Sequence, residues 1–157
     1  MDDETLILTV GGTPRPLEVA IEQIKPKFVY FIHSKETLKT VEEILENISF
    51  DLEYSLVKID DPESLSEAFD KSNDLMARLE GEIVHINFTG GTKPMVAGLM
   101  LASSGSGCIY SYVGSKSMEG RAKDGNKAGF SNAPTNLNYY YDLFVNKKYN
   151  PKNFTEE

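Results

Sequence analysis

The sequence predicts a Rossmann-like α/β fold, a three-layer sandwich whose mostly parallel sheet ends in a C-terminal strand pair. Short apolar runs alternate along the chain with segments whose apolar residues recur at helical spacing. Such alternation gives a parallel sheet covered by helices on both faces. Two of the runs also end in a glycine pair, which is typical of a sharp turn from a strand into a helix. The 157 residues predict one domain over residues 1–145, followed by a polar tail or linker over residues 146–157.

The first half of the chain supplies three predicted strands and two helices. Residues 5–10 form a strongly apolar strand, and the turn after it leads into a helix that Pro26 stops. Residues 28–32 are continuously apolar, as expected of a strand whose two faces are both covered. Ser34 is expected to cap the second helix, and residues 54–59 alternate in the manner of an edge strand.

The second half continues the same alternation. A third helix is expected to open at Asp60 and to close at Gly81, and residues 83–86 predict a central strand. A compact apolar helix follows the glycine turn after that strand, and residues 108–113 predict a fifth strand.

A long polar segment over residues 114–136 precedes a final predicted strand over residues 137–145. The polar segment is rich in Gly, Ser and Asn and carries more basic than acidic side chains, although the whole chain is acidic. It suits either a mobile lid over a ligand or a solvated connection between the last strands, and the connection is slightly favoured.

The composition excludes several classes of function. Sixteen basic residues against twenty-four acidic ones give a net charge of −8 and a pI near 4.8, so long nucleic acid is not an expected partner. No apolar run is long enough to span a membrane and no signal peptide precedes the first strand, which indicates a cytoplasmic protein. Cys108 is expected to be a buried, reduced thiol. Because the cysteine and the two histidines have no metal-ligand spacing, neither a metal nor another cofactor is expected.

The stretch over residues 86–95 carries the strongest functional signal, because it combines a strand end, a glycine pair and a helix start. Gly90 and Gly91 allow the backbone to come close to a ligand, and Pro94 suits the first turn of a helix. The N–H groups at that helix start and the ammonium group of Lys93 would together favour an anion, most often a phosphate.

Two further features favour a ligand site over a simple turn with a solvated lysine. Asn87 and Thr89 are two residues apart at the strand end, so both should point to one face, close to Lys93. The first strand also ends in a glycine pair and a threonine, residues 11–13. If the first and fourth strands are neighbours, both loops line one crevice at the carboxyl ends of the strands. The stretch is not a Walker A loop, because Pro94 rather than serine or threonine follows the lysine.

Together, the two loops resemble those of the CRISPR-associated Rossmann fold, the CARF domain, of type III CRISPR accessory and effector proteins. That family carries one motif after the first strand and a second, [Asp/Asn]-x-[Ser/Thr]-x-x-x-[Lys/Arg], after the fourth. Asn87, Thr89 and Lys93 match the second pattern without a gap. The resemblance covers the chain to Val145. It implies a sensor for cyclic oligoadenylate in antiviral defence, with the four-nucleotide ring, cA4, bound across a homodimer to control a fused or associated effector domain.

The resemblance also implies which residues contact the ligand. They lie in the two loops or just past strand ends: Gly11, Gly12, Thr13, Arg15, Ser34, Asn87, Thr89, Gly90, Gly91, Thr92 and Lys93. Arg15 and Ser34 are included only for their position, since each also suits an ordinary role at a helix start.

Two other functions stay open. Some CARF domains are metal-independent ring nucleases, in which the ribose 2′-OH attacks the phosphate and a 2′,3′-cyclic phosphate is left. Lys93, Thr13 and Thr92 are then the candidate catalytic residues, because positioning and charge stabilisation would be the protein's task. His33 is a candidate base, although a histidine at a strand end is more often structural. The third function is an ordinary mononucleotide-binding or transferase domain, which the lack of a carboxylate near either glycine turn argues against.

Overall fold

Residues 4–114 are described by the computed structural model. In this part of the chain, strands and helices alternate as predicted. The strands are β1 (Thr5–Thr9), β2 (Phe28–Ser34), β3 (Tyr54–Ile59), β4 (Val84–Asn87) and β5 (Ile109–Ser111). The helices are α1 (Arg15–Ile24), α2 (Leu38–Asn47), α3 (Leu65–Arg78) and α4 (Lys93–Ser103).

The described strands form one parallel sheet in the order β3-β2-β1-β4-β5. β1 lies between β2 and β4, with Leu8 opposite Phe31 on one side and Asn87 on the other. The chain thus adds β2 and β3 on one side of β1 and then returns to add β4 and β5 on the other. This reversal makes the β1/β4 boundary the switch point at which such sheets bind ligands. The expectation that the first and fourth strands are neighbours is confirmed.

Two apolar cores hold the helices against the two faces of the sheet. Leu6 and Leu8 of β1 belong to the core that contains side chains of α1 and α2, whereas Ile7 belongs to the core that contains side chains of α3 and α4. The division follows from the alternation of side chains along a strand. Because both faces of β1 are buried, the three residues between Thr5 and Thr9 are all apolar, as the sequence pattern indicated. The three-layer α/β sandwich is therefore confirmed over the described residues.

The predicted start of the third helix is wrong. α3 begins at Leu65, with the Ser64 hydroxyl accepting a hydrogen bond from the N–H of Glu67 at 3.1 Å. The N–H groups of Asp60 and Asp61 donate instead to the Glu67 carboxylate, at 2.6 and 2.8 Å. The Glu67 carboxylate, in the first turn of α3, accepts from these donors although the chain there is not helical. The loop therefore continues for four residues after Asp60 before the helix begins.

The predicted cap of the second helix is also wrong. β2 extends through Ser34, and α2 begins at Leu38 with Thr37 in the N-cap position. The Thr37 hydroxyl accepts a hydrogen bond from the N–H of Ser34 at 2.9 Å. This bond closes a short turn between the strand and the helix, so Ser34 ends the strand rather than starting the helix.

Some predictions lie outside the described residues. They are the polar segment beyond Gly114, the strand over residues 137–145 that would complete the C-terminal pair, and the tail over residues 146–157. The boundary of the domain at residue 145 therefore stays a prediction. Among the helices of residues 4–114, none has the length and apolar character that crossing a membrane requires.

Candidate functional site

The loops that follow β1 and β4 meet at the switch point and line a cavity of about 600 Å³. Most of the predicted contact residues share this lining: Gly11, Gly12, Thr13, Arg15, Thr89, Gly90 and Gly91. Side chains that the sequence did not single out complete it: Pro16 and Leu17 from the start of α1, and Tyr112 and Val113 from the end of β5. Two loops almost eighty residues apart in the chain therefore form one site.

The glycines of the two loops let the backbones touch. A Cβ atom on Gly90 would lie 2.6 Å from the Thr9 carbonyl oxygen and 2.9 Å from the Gly11 nitrogen. A Cβ atom on Gly11 would lie 2.9 Å from the Gly91 nitrogen. Gly91 also has φ +88°, a conformation that favours glycine. By contrast, a Cβ atom on Gly12 would have nothing within 4 Å.

Thr9 fastens the two loops together, and sequence reasoning missed it. Its hydroxyl donates a hydrogen bond to the Gly90 carbonyl oxygen at 2.6 Å, and the residue is fully buried. The only signal in the sequence was a polar residue inside an apolar run, two positions before the first glycine pair.

The backbone N–H groups of both loops are free to receive a ligand. Among the hydrogen bonds of residues 4–114, none uses the N–H groups of residues 11–13 or of residues 90–92 as donors. Successive N–H groups in such turns form concave anion sites. The two loops therefore offer backbone hydrogen-bond donors that do not depend on a basic side chain.

Asn87 and Thr89 form hydrogen bonds with each other. The Asn87 side-chain oxygen accepts hydrogen bonds from the Thr89 N–H at 3.2 Å and from the Thr89 hydroxyl at 2.7 Å. The Thr89 hydroxyl in turn accepts from the N–H of Val113 at 2.8 Å. These bonds shape the β4 loop and tie it to the end of β5. Direct contact of either side chain with a ligand stays a prediction.

Three further buried residues extend this arrangement across the sheet. The Asn87 amide donates to the Ser111 hydroxyl at 2.9 Å, and that hydroxyl lies 2.7 Å from Nε2 of His85. Nδ1 of His85 lies 3.0 Å from a carboxylate oxygen of Glu4. We call Glu4, His85, Ser111, Asn87 and Thr89 the polar chain.

The protonation of the polar chain follows from its geometry. Burial lowers the pKa of His85, and the neighbouring Glu4 carboxylate only partly opposes that effect. His85 is therefore neutral near neutral pH. Because the Ser111 hydroxyl already accepts a hydrogen bond from Asn87, it can donate its own proton to Nε2 of His85. The proton on Nδ1 of His85 then points at Glu4. His85 is a structural hydrogen-bonding residue in this arrangement.

The start of α4 combines a cap with an exposed cation. The Thr92 hydroxyl accepts a hydrogen bond from the N–H of Met95 at 3.2 Å and donates to the carbonyl oxygen of Pro62. The adjacent Lys93 is exposed and, within residues 4–114, pairs with no carboxylate. Neither residue lines the cavity itself, although both directly follow Gly91, which does. Their roles as ligand contacts or catalytic residues stay predictions.

Thr13 and Arg15 differ in whether their side chains bond to other residues. Thr13 is exposed at the cavity, whereas Arg15 lines the cavity and also pairs with Glu18 at 3.2 Å and with Glu22 at 3.7 Å. The Glu18 carboxylate is itself buried and accepts a second hydrogen bond, from Asn47, at 2.8 Å. Arg15 is therefore held at the mouth of the cavity by α1.

Ser34, the candidate base His33 and Cys108 do not line the cavity. Ser34 is buried and bonds to Thr37. His33 is also buried, with Nδ1 at 2.8 Å from the Ser34 carbonyl oxygen. Burial raises the pKa of the Cys108 thiol to about 11, as expected of an unreactive core cysteine. In residues 4–114, no group of His, Cys, Asp and Glu side chains could hold a metal ion.

Comparison with solved structures identifies proteins of the same fold. Can2 from Sulfobacillus thermosulfidooxidans, solved in complex with cyclic tetra-adenylate (cA4), matches with a TM-score of 0.66 and 17% identity. The match covers 73% of this chain and 33% of Can2. A type III CRISPR defence DNA nuclease activated by cyclic oligoadenylate matches with a TM-score of 0.54 and 22% identity, over 69% of this chain and 18% of the nuclease.

These likenesses establish the fold, and they are consistent with the resemblance to CARF domains. This chain spans about a third of Can2 and about a fifth of the nuclease, so their activities as whole proteins are not carried over by the match. No family model matches the sequence, and no curated protein matches it either.

Proposed function

We propose that this chain is a CARF-type sensor domain that binds a cyclic oligoadenylate, the four-nucleotide ring cA4, and controls an effector domain. The observation that carries the proposal is the cavity between the β1 and β4 loops. Residues 11–13, Gly90 and Gly91 line it, and their N–H groups are donors in none of the described hydrogen bonds. Both structural neighbours are proteins that bind or are activated by such ligands, which supports the same ligand class here.

The electrostatics of the cavity suit a phosphodiester. The N-terminus of α4 lies directly after Gly91 and carries the positive end of the helix dipole. Lys93 adds one positive charge, and Arg15 stands at the mouth. An acidic protein can bind a polyanion at such a place, because oriented N–H groups act over short distances and stabilise the negative charge locally. The net charge of the whole chain does not prevent this.

A homodimer completes the proposed site. A cavity of about 600 Å³ is of the size that holds a drug-sized molecule, and a ring of four nucleotides is larger. A ring with two-fold symmetry matches an isologous dimer in which each protomer offers one copy of the same cavity. Light scattering should therefore find a dimer before ligand is added. A monomer at micromolar concentration would contradict the shared site.

Lys93 gives the sharpest test of the phosphate contact. Replacing Lys93 with Ala should weaken cA4 binding by about tenfold or more in calorimetry, because a hydrogen bond to a charged group contributes about 1.5–3 kcal/mol. Lys39→Ala is the matched control, since Lys39 is also exposed in the first turn of a helix, α2. Equal affinity of the two variants would remove Lys93 from the site.

Cleavage of the ring is the alternative to binding alone. Among the described residues that line the cavity there is no histidine, carboxylate or cysteine to act as a base, which favours binding without reaction. Incubation with cA4 without metal, followed by chromatography, should return intact ring over hours. Linear products would instead identify a ring nuclease and would make Thr13, Thr92 and Lys93 the residues to replace next.

A further inference from the structure

Tyr112 is the one aromatic side chain among the described residues that line the cavity, and nothing in the motif pattern assigns it a role. It follows β5 directly and keeps 41% of its surface exposed. The expected contacts all lie in the loops after β1 and β4 or after β2. The end of β5 reaches the cavity because it pairs with β4 at the same carboxyl edge.

The Tyr112 ring packs against another aromatic ring. It stacks on the half-buried ring of Phe88, with centroids 5.6 Å apart and an interplanar angle of 30°. The residues before and after Tyr112 are hydrogen-bonded to the β4 side: Ser111 accepts a hydrogen bond from Asn87, and the Val113 N–H donates to the Thr89 hydroxyl. Tyr112 therefore lies between two bonded residues, with its ring supported by Phe88.

The cavity is lined by both polar and apolar groups. The glycine loops contribute backbone to the lining, and Pro16, Leu17, Tyr112 and Val113 contribute apolar groups. A nucleotide also carries both kinds of group, a charged phosphodiester and a flat base. Aromatic side chains with an exposed ring are the usual platforms for unpaired bases.

We propose that Tyr112, supported by Phe88, stacks against a purine base of the bound ligand while the glycine loops hold the adjacent phosphodiester. The assignment rests on the proposed function, because it takes the ligand to be a nucleotide. It makes Tyr112 a residue that contacts the base, whereas the N–H groups and Lys93 would contact only the phosphate.

Tyr54 offers a matched control. It is exposed to a similar degree, 45%, and also contacts a phenylalanine, Phe31, with ring centroids 6.0 Å apart. It lies on β3, the outermost strand on the other side of the sheet, and does not line the cavity. Loss of Tyr54 should therefore cost a comparable amount of surface packing without touching the ligand.

The first experiment compares affinities for cA4 by calorimetry. Tyr112→Ala should bind about tenfold more weakly or worse, and Tyr112→Phe should stay within a few-fold of the native chain, because stacking needs only the ring. Tyr54→Ala should bind as the native chain does. Native affinity in Tyr112→Ala overturns the proposal, whether or not its Tm falls further than that of Tyr54→Ala. If the native chain itself binds no cyclic oligoadenylate, the proposed function fails instead.

The second experiment reports the contact directly. The chain contains no tryptophan, so Tyr112→Trp introduces a single indole at the proposed platform. Stacking of adenine should quench its fluorescence during titration with cA4, and the quenching should follow the affinity from calorimetry. Tyr54→Trp should show no change. Unchanged emission of Tyr112→Trp at a cA4 concentration that saturates the site overturns the proposal.

Discussion

The two loops of the cavity have nearly the same sequence and are built in different ways. Both contain Gly-Gly-Thr after a buried strand, residues 11–13 after β1 and residues 90–92 after β4. In the β4 loop the hydroxyls of Thr89 and Thr92 are both engaged in internal hydrogen bonds. In the β1 loop, Thr13 is exposed, and none of the described hydrogen bonds uses its hydroxyl.

This difference separates scaffold from contact. The β4 loop is fixed by its own side chains, so it can present N–H groups at set positions without further ordering when a ligand binds. The β1 loop supplies the exposed hydroxyl of Thr13, and the side-chain hydrogen bond to the β4 loop comes from Thr9, at the end of β1. The same sequence, Gly-Gly-Thr, therefore forms a hydrogen-bonded loop on one side of the cavity and a loop with an exposed threonine on the other.

The largest expected effect comes from closing the gap between the loops. Gly90→Ala would place a Cβ atom 2.6 Å from the Thr9 carbonyl oxygen, which belongs to the backbone and cannot move aside alone. We expect a loss of about 3 kcal/mol in unfolding free energy, measured by urea denaturation. Gly12→Ala is the control, since its Cβ atom would meet nothing within 4 Å and stability should not change. Equal stability of the two variants would mean that the loops do not depend on this contact.

The next effect tests the polar chain. Asn87→Ala removes the acceptor of the Thr89 N–H and hydroxyl and leaves the buried Ser111 with one partner fewer. The expected loss is about 2 kcal/mol of unfolding free energy, because buried polar groups become unsatisfied. Thr13→Ala on the other loop should leave stability unchanged and weaken only ligand binding. A destabilising Thr13→Ala would contradict the contrast between the two loops.

The smallest expected effect is a dependence of stability on pH that comes from His85 on β4. The pKa of His85 is lowered in the folded chain by burial, so the unfolded chain takes up this proton first as the pH falls. The stability that neutral His85 provides is complete above the ordinary pKa of about 6.5 and is lost as the pH drops towards the lowered value.

Urea denaturation of the native chain at about pH 7.5 and at about pH 5.5 measures this loss. His85→Gln keeps a polar group but does not titrate, so its stability should fall less over the same range. An equal fall in both proteins would assign the pH dependence to other groups.

Much of this arrangement could be predicted from residue patterns alone. The alternation of apolar runs and helical periodicity predicted the α/β sheet, and the two glycine pairs predicted the two loops that line the cavity. Seven of the residues expected to contact the ligand line the cavity. The resemblance to CARF domains is supported by structural neighbours that act with cyclic oligoadenylates.

The errors and omissions share one cause. The bonds of Asn87 to Ser111 and of Thr89 to Val113 were not predicted, because each partner stands 24 positions away in the chain. Contact of Asn87 and Thr89 with a ligand stays a prediction. Tyr112 was missed because only its place beside β4 brings it to the cavity. The two helix starts were misplaced because Glu67 and Thr37 satisfy donors from neighbouring turns.

Local chemistry was enough to predict the elements, because strand burial, glycine turns and helix starts depend on residues close together in the chain. Tertiary structure alone decided which side chains hold the loops and which stay exposed at the cavity. The partner of a buried hydroxyl or amide is set by strand order rather than by the neighbouring sequence, as the bonds of Asn87 to Ser111 and of Thr89 to Val113 illustrate.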